Sequence, residues 1–145
     1  MRNSIFLFLA TLTAFPIYSQ KDIGWQDLAE VTFVDKYYPK YNQEFPYPTF
    51  SESVKALEGK EITISGYFLN LDASGKLYIL SKGPLSACFF CGVGGPETAI
   101  ELYFEEKPSF TTDEIISVTG TLELNPDDPE HFTYILRKTK GIKFN

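Results

Sequence analysis

Two segments of the chain share a strand pattern with a glycine at the same place. Residues 62–69 and 116–122 alternate apolar and polar side chains, and Gly66 and Gly120 stand at the fifth position of each. A period of two indicates β-strands with one buried face. A glycine inside a strand marks a bend or bulge, and small closed barrels need strongly bent strands. This pair of segments therefore favours a barrel.

Three further segments complete a five-strand pattern. Shorter strands are predicted at residues 77–81, 100–104 and 132–138, with turns at 72–75 and 125–129. A last short extended piece is predicted near residues 142–144. Five strands with bends in the first and fourth are typical of an OB-like barrel, whereas a β-sandwich usually has more strands. We predict an all-β fold class with one short helix.

The region before the barrel is rich in aromatic residues and proline. Trp25 and Leu28 fit one face of a helical turn that covers an edge of the core. Residues 37–48 interleave aromatic side chains with prolines, which predicts an extended, irregular segment across the barrel mouth. Thr49 is predicted to cap a short amphipathic helix at about residues 50–58.

The first twenty residues predict a secretory signal peptide. Arg2 is their one charged residue, and the apolar run that follows it is too short to span a bilayer. The expected organisation is a signal peptide at 1–20, an irregular segment at 21–48, and an OB-like domain with its leading helix at 49–145. We expect a periplasmic or secreted protein, soluble and without membrane insertion once the signal is removed.

The net charge argues against nucleic-acid binding, and the residue types present argue against catalysis. The net charge is −6, which opposes binding to the phosphates of nucleic acids. The chain has one histidine, no Gly-x-Ser-x-Gly motif and no metal-binding histidine pair, so no catalytic set emerges. We therefore predict that the protein is not an enzyme.

Both cysteines of the chain lie in one loop, as Cys88 and Cys91. Their spacing is that of half a zinc site and also that of a redox pair. Gly92 stands where haem attachment needs histidine, and glycine-rich residues 92–95 cannot start the helix of a thioredoxin-like site. Thiol–disulfide activity is thus the minor alternative. A metal half-site and a short structural disulfide, contributing about 2 kcal/mol, both remain open.

A third metal ligand is predicted from the topology of the barrel. In an OB-like barrel the loop with Cys88 and Cys91 and the turn leading into His131 lie at the same end. Two thiolates and an imidazole suit Zn²⁺ or Cu⁺. The candidate metal ligands are Cys88, Cys91 and His131, and the alternative is a Cys88–Cys91 disulfide without metal.

Several short motifs carry a resemblance to a known family. They are a Trp-x-x-Leu near the expected mature start, a Pro-x-Phe before the helix, a Leu-x-Gly-Lys strand entry with Gly-Tyr, and Cys-Gly followed by Gly-Pro-Glu, formed by Trp25, Leu28, Pro48, Phe50, Leu57, Gly59, Lys60, Ile62, Ile64, Gly66, Tyr67, Cys91, Gly92, Gly95, Pro96 and Glu97. The chain resembles a family of small exported bacterial proteins of unknown function with an OB-like barrel.

The resemblance implies a setting for the function. Members of this kind resemble components encoded beside metal-uptake and ABC-type transport systems, which implies metal handling and a partner from such a system. We therefore expect an exported, non-catalytic binding or accessory module that handles a soft metal ion through the Cys88-x-x-Cys91 loop. The alternative is a protein-interaction component of an envelope transport system, with Cys88–Cys91 as a structural disulfide.

Overall fold

The computed structural model describes residues 20–72, 74–88 and 92–144. Most of the predicted signal peptide, residues 1–19, lies outside them. Within the described ranges no helix is long and apolar enough to cross a membrane. The regular elements are β1 Lys21–Asp22, α1 Trp25–Leu28, β2 Val31–Tyr38, β3 Gln43–Phe50, α2 Glu52–Lys55, β4 Glu61–Asn70, β5 Tyr78–Ser81, β6 Ala99–Phe104, β7 Glu114–Leu124 and β8 Tyr134–Lys143.

Strands β4 to β8 close into the predicted five-stranded barrel. The strand order is β4-β5-β6-β8-β7, and β7 pairs again with β4. The β6–β8 pair is parallel and the other pairs of the barrel are antiparallel. This arrangement confirms an all-β, OB-like barrel. The predicted fifth strand and the short piece after it belong to one strand, β8.

The two glycines of the repeated strand pattern lie at close contacts between barrel strands. Gly66 pairs with Ile116, and Gly120 pairs with Ile62, so the two segments form one antiparallel pair. A Cβ at Gly66 would come 2.6 Å from the carbonyl oxygen of Ser81. Around Gly120 the register of β7 against β8 shifts. Because glycine has no Cβ, these two positions allow the barrel wall to curve tightly.

The barrel encloses one apolar core. Fully buried side chains from all five strands meet inside it, among them Ile62, Phe68, Leu80, Ile100 and Tyr134. At about 25 cal/mol per Å² of buried apolar surface, this cluster is the main source of stability. A second, smaller cluster lies on the outer side of the wall and consists of Leu69, Ile79, Cys88 and Ala99.

The predicted irregular segment is in fact a β-hairpin. β2 and β3 pair antiparallel from Val31 opposite Phe50 to Tyr38 opposite Gln43. Of the three prolines that argued against a strand, Pro39 lies in the turn between β2 and β3. Pro46 and Pro48 occupy alternate positions of β3, so the N–H groups they lack would point to the same side. In a two-stranded sheet one side of each strand makes no ladder bonds, and proline is tolerated there. We call β2–β3 the hairpin.

The first predicted helical turn is confirmed as α1. Leu28 is fully buried, and the indole Nε1 of Trp25 donates a 2.8 Å hydrogen bond to the carbonyl of Ser65. The hydroxyl of the buried Tyr134 donates to the carbonyl of Leu28 at 2.7 Å. These two bonds attach the segment before the hairpin to the barrel.

The second predicted helix is shorter and begins later than the sequence pattern indicates. Ser51, not Thr49, is the N-cap, and its hydroxyl accepts the N–H of Val54. Thr49 remains in the hairpin because β3 continues to Phe50. The apolar face predicted for this helix is nevertheless buried in the core.

Candidate functional site

Two long connections meet at one end of the barrel. β6 and β8 run parallel from neighbouring starts, with Ile100 opposite Tyr134. The β5–β6 loop and the β7–β8 turn therefore arrive at the same end. Phe132, next to His131, packs against the outer cluster that contains Cys88. The described parts of the two connections, with Cys88 in the first, therefore lie at one end of the barrel.

Cys88 is only 2% exposed, and it forms no disulfide with any residue that the structure describes. It follows the short 3₁₀ turn Leu85–Ala87 and packs on the apolar side chains of the outer cluster. Structural thiols occupy such apolar sites, whereas reactive thiols sit in partly exposed, electropositive ones. Cys91 lies outside the described residues. The predicted metal ligation and the predicted disulfide of Cys88 with Cys91 therefore both stay predictions.

His131 pairs with a carboxylate that sequence reasoning did not single out. Its Nδ1 lies 3.0 Å and 3.2 Å from the two oxygens of Glu101. The Glu101 side chain is 6% exposed and that of His131 is 41% exposed. The pair thus joins a buried carboxyl group to an imidazole at the surface.

Glu101 also accepts hydrogen bonds from two other donors. The phenol of Tyr103 donates at 2.8 Å, and the backbone N–H of Phe132 donates at 3.1 Å. Burial, and then the bond to Glu101, raises the pKa of Tyr103. Arg137 lies 4.0 Å above the Tyr103 ring, a cation–π contact. The carboxylate therefore fastens the β7–β8 turn to β6.

The position of Glu101 was readable only in part from the sequence. In β6 it alternates with Ile100 and Leu102, whose side chains fill the core, so alternation alone places it on the side away from the core. The outer cluster and the β7–β8 turn cover that side. This covering results from tertiary packing, which no local sequence pattern shows. A single acid within an otherwise apolar strand is the one local signal that could have found it.

A cleft of about 270 Å³ opens beside this pair. It lies between the hairpin, Pro96 and the β7–β8 turn. Pro96 is the first residue of a second 3₁₀ turn, Pro96–Thr98. Its lining consists of Phe45, Pro46, Pro96, Pro129, Glu130, His131, Phe132 and Thr133. Five of these eight residues are phenylalanine or proline, which have apolar rings. Concave, mostly apolar surfaces with a few polar groups are the usual form of ligand sites.

Ion pairs and hydrogen bonds hold the hairpin against the β7–β8 turn. Lys36 lies 3.3 Å from Asp127, and Lys40 lies 3.1 Å from Glu130. The phenol of Tyr41 donates to Glu130 at 2.6 Å. The bonds from Tyr41 and Lys40 lower the pKa of Glu130. Of these residues Glu130 lines the cleft, and the contacts hold the hairpin beside it.

The donor set for a metal is incomplete in the part of the chain that the structure describes. No group of three or more histidine, cysteine, aspartate or glutamate side chains could hold an ion there. His131 has its contact with Glu101, and Cys88 has its apolar cluster. A soft metal site of Cys88 and His131 would require Cys91 as a further ligand and an approach of the cysteine loop toward the turn.

The fold and the cleft define a small OB-like barrel with an appended hairpin. No protein-family model matches the chain, and no curated protein matches it. Among solved structures, a DUF3299 family protein from Pseudomonas aeruginosa PAO1 is similar, with a TM-score of 0.55 and 14% identity over 88% of this chain and 99% of that chain. This likeness shows the fold alone, and it agrees with a resemblance to a small family of unknown function.

Proposed function

We propose that the protein is an exported, non-catalytic binding module whose ligand occupies the cleft between the hairpin and the end of the barrel. One observation carries this proposal. The cleft is lined mainly by apolar rings and carries an imidazole, that of His131, which the buried Glu101 holds in place. Apolar walls supply contact area, and a few fixed polar groups supply orientation.

A partner protein is the occupant that the surrounding surface favours. Val34 is 60% exposed, and it lies on the same face of the hairpin as Phe45, which lines the cleft. Exposed apolar side chains beside a cleft are typical of interaction surfaces. The resemblance of the sequence to components of envelope transport systems supports a partner of that kind.

Site-specific photo-crosslinking in the native cells tests this proposal. Benzoylphenylalanine replaces Pro46, an exposed residue of the cleft, and in a control it replaces the exposed Glu106, which lies outside the cleft. We expect a discrete adduct from position 46 that His131→Ala abolishes, and none from position 106. Equal adducts from both positions, or no adduct from either, would contradict the proposal.

A second candidate function is the handling of Zn²⁺ or Cu⁺ by Cys88, Cys91 and His131. The packing of Phe132 against the cluster of Cys88 supports it, because this contact brings the two predicted ligand segments to one face. The attachment of His131 Nδ1 to Glu101 supports it too, since metal-binding histidines usually engage a carboxylate through their other nitrogen.

Native mass spectrometry of reduced protein tests the metal candidate. We expect one Zn²⁺ or Cu⁺ per chain, and its loss in Cys88→Ser, Cys91→Ser and His131→Ala. Each variant must retain its folded circular dichroism spectrum. Absence of stoichiometric metal in the wild type would eliminate metal handling and leave the partner-binding proposal intact.

A further inference from the structure

The hairpin is a two-stranded sheet, and it therefore has two outer edges. Within the described part of the chain, β2 and β3 pair only with each other. Alternate residues of each strand turn their N–H and C=O groups away from the shared ladder. A row of such groups is a template for a further strand, and natural proteins block the edges at which no strand should add.

The outer edge of β3 is blocked by proline. Pro46 and Pro48 lack N–H groups and occupy outward-facing positions of this strand. Pro46 also lines the cleft. The β3 edge therefore borders the cleft and lacks two of the donors that a further strand would need.

The outer edge of β2 carries no proline. Phe33 and Asp35 stand opposite the two prolines of β3, so their N–H groups also face outward, as does that of Tyr37. No described residue accepts a hydrogen bond from these three N–H groups. Val31 belongs to the same row, and its N–H bonds to the carbonyl of Ala29. The β2 edge thus keeps three unused main-chain donors in a row.

The side chains of β2 leave this edge open to solvent. Tyr37 is 52% exposed, and the exposed residues of the strand also include Thr32, Val34, Asp35 and Lys36. Five of the eight residues of the strand are therefore exposed. A further strand can approach β2 along most of its length.

The sequence of β2 allows it to pair with a second copy of itself. Two copies related by a two-fold axis meet as antiparallel strands, and outward-facing residues must fall opposite each other. The register can then change only in steps of two residues. Of the two registers with the longest overlap, one places Asp35 opposite Asp35 of the second copy, and directly opposed like charges are destabilising. The other places Val34 opposite Val34 of the second copy.

This second register gives each exposed apolar side chain of β2 an apolar neighbour. Val34 meets its own copy on the axis, and Tyr37 lies opposite Val31 of the second copy. The remaining cross-strand pairs join Asp35 to Phe33 and Lys36 to Thr32. No two like charges are directly opposed. The strand is therefore complementary to itself in both apolar pattern and charge.

We propose that the protein forms a dimer in which β2 of one copy pairs antiparallel with β2 of another, with Val34 on the two-fold axis. The two hairpins become one four-stranded sheet in the order β3-β2-β2-β3. The second copy adds at the edge away from β3, so each copy keeps its cleft. A single strand pair is a small interface, and we expect association that depends on protein concentration. This inference goes beyond the proposed function and does not depend on it.

Sedimentation equilibrium of protein purified from the native cells tests the inference. We expect the apparent mass to rise from one chain toward two as the protein concentration increases. Asp35→Pro removes an outward N–H from β2, as the prolines do in β3, and leaves the ladder of the hairpin intact. It should lower the association constant by more than about tenfold. The matched control Asp35→Asn keeps the N–H and should dimerise at least as well as the wild type.

Cysteine crosslinking in the native cells tests the register, and it remains informative if Asp35→Pro fails to fold. Residues that face each other without mutual hydrogen bonds have Cα atoms about 4.5 Å apart, which is within disulfide range. We expect Val34→Cys to give a reducible adduct of two chains under mild oxidation. Thr32→Cys is the matched control, because Thr32 lies opposite Lys36 of the second copy. It should give no more adduct than the wild type.

Several results would overturn this inference. One is a wild type that stays a monomer at every concentration. Another is dimerisation that a folded Asp35→Pro variant leaves unchanged, because the contact then lies elsewhere. Equal adducts from positions 34 and 32 would show a different register, and an adduct of Val34→Cys with another protein would show a different occupant. His131→Ala should dimerise like the wild type, so none of these results bears on crosslinking at position 46.

Discussion

Glu101 is a buried carboxylate whose position determines the geometry of the candidate site. It accepts from an imidazole, a phenol and a backbone N–H, contributed by His131, Tyr103 and Phe132. Burying a carboxylate is unfavourable unless such partners replace its water. Each of these donors belongs to β6 or to the β7–β8 turn, so the carboxylate couples the wall of the barrel to the cleft.

Replacing Glu101 with alanine should destabilise the protein. The substitution removes a buried carboxylate that accepts from the phenol of Tyr103 and the N–H of Phe132, and we expect a loss of about 1–3 kcal/mol in the free energy of unfolding. Urea denaturation followed by the fluorescence of the one tryptophan, Trp25, measures it. The exposed control Glu106→Ala should change stability by less than about 0.5 kcal/mol. Equal effects in both variants would contradict the assigned role of Glu101.

At the level of elements, neighbouring strands of the barrel come close to each other at two glycines, Gly66 and Gly120, where a side chain would not fit without movement. A side chain at Gly66 would press on the backbone of β5, which cannot move without disturbing the wall. We expect Gly66→Ala to cost about 1–3 kcal/mol, the usual range for overpacking. Urea denaturation measures the loss, and Ser117→Ala on the paired strand is the control. A Gly66→Ala variant as stable as the wild type would show that the wall adapts at this point.

The hairpin should loosen from the barrel in acid. Hydrogen bonds from Tyr41 and Lys40 lower the pKa of Glu130 from its usual 4.5. Because the folded pKa lies below the unfolded one, this contribution is present at neutral pH and is lost as pH falls through the lowered pKa.

Near-ultraviolet circular dichroism of the tyrosines measures this acid-induced change. Glu130→Gln should remove the transition, and the exposed control Glu44→Gln should retain it. A transition of the same amplitude in Glu130→Gln would mean that other carboxylates hold the hairpin.

The elements that sequence reasoning predicted are those with a simple local signal. Alternation and the two glycines were sufficient for β4 and β7, because these strands have one face in the core. The hairpin was missed because its prolines mimic an irregular segment, and only its isolation as a two-stranded sheet makes them tolerable. Helix α2 was displaced because β3 extends past the expected cap.

At the scale of the whole molecule, the cleft is a product of three separate stretches of sequence. The hairpin, the end of the β5–β6 loop and the β7–β8 turn contribute Phe45, Pro96 and His131, and no local pattern connects them. The sequence could place the cysteine loop and His131 at one end of the barrel through topology alone. It could not place Glu101, whose burial depends on the covering turn.

The magnetic resonance signals of the His131 imidazole test the central claim most directly, since the chain has one histidine and its signals need no assignment. The measurement is a ¹H–¹⁵N titration with the partner captured by crosslinking at position 46. We predict that the imidazole resonances of His131 shift saturably as the partner is added. Imidazole signals that stay unchanged while the partner saturates the protein would contradict a ligand in this cleft.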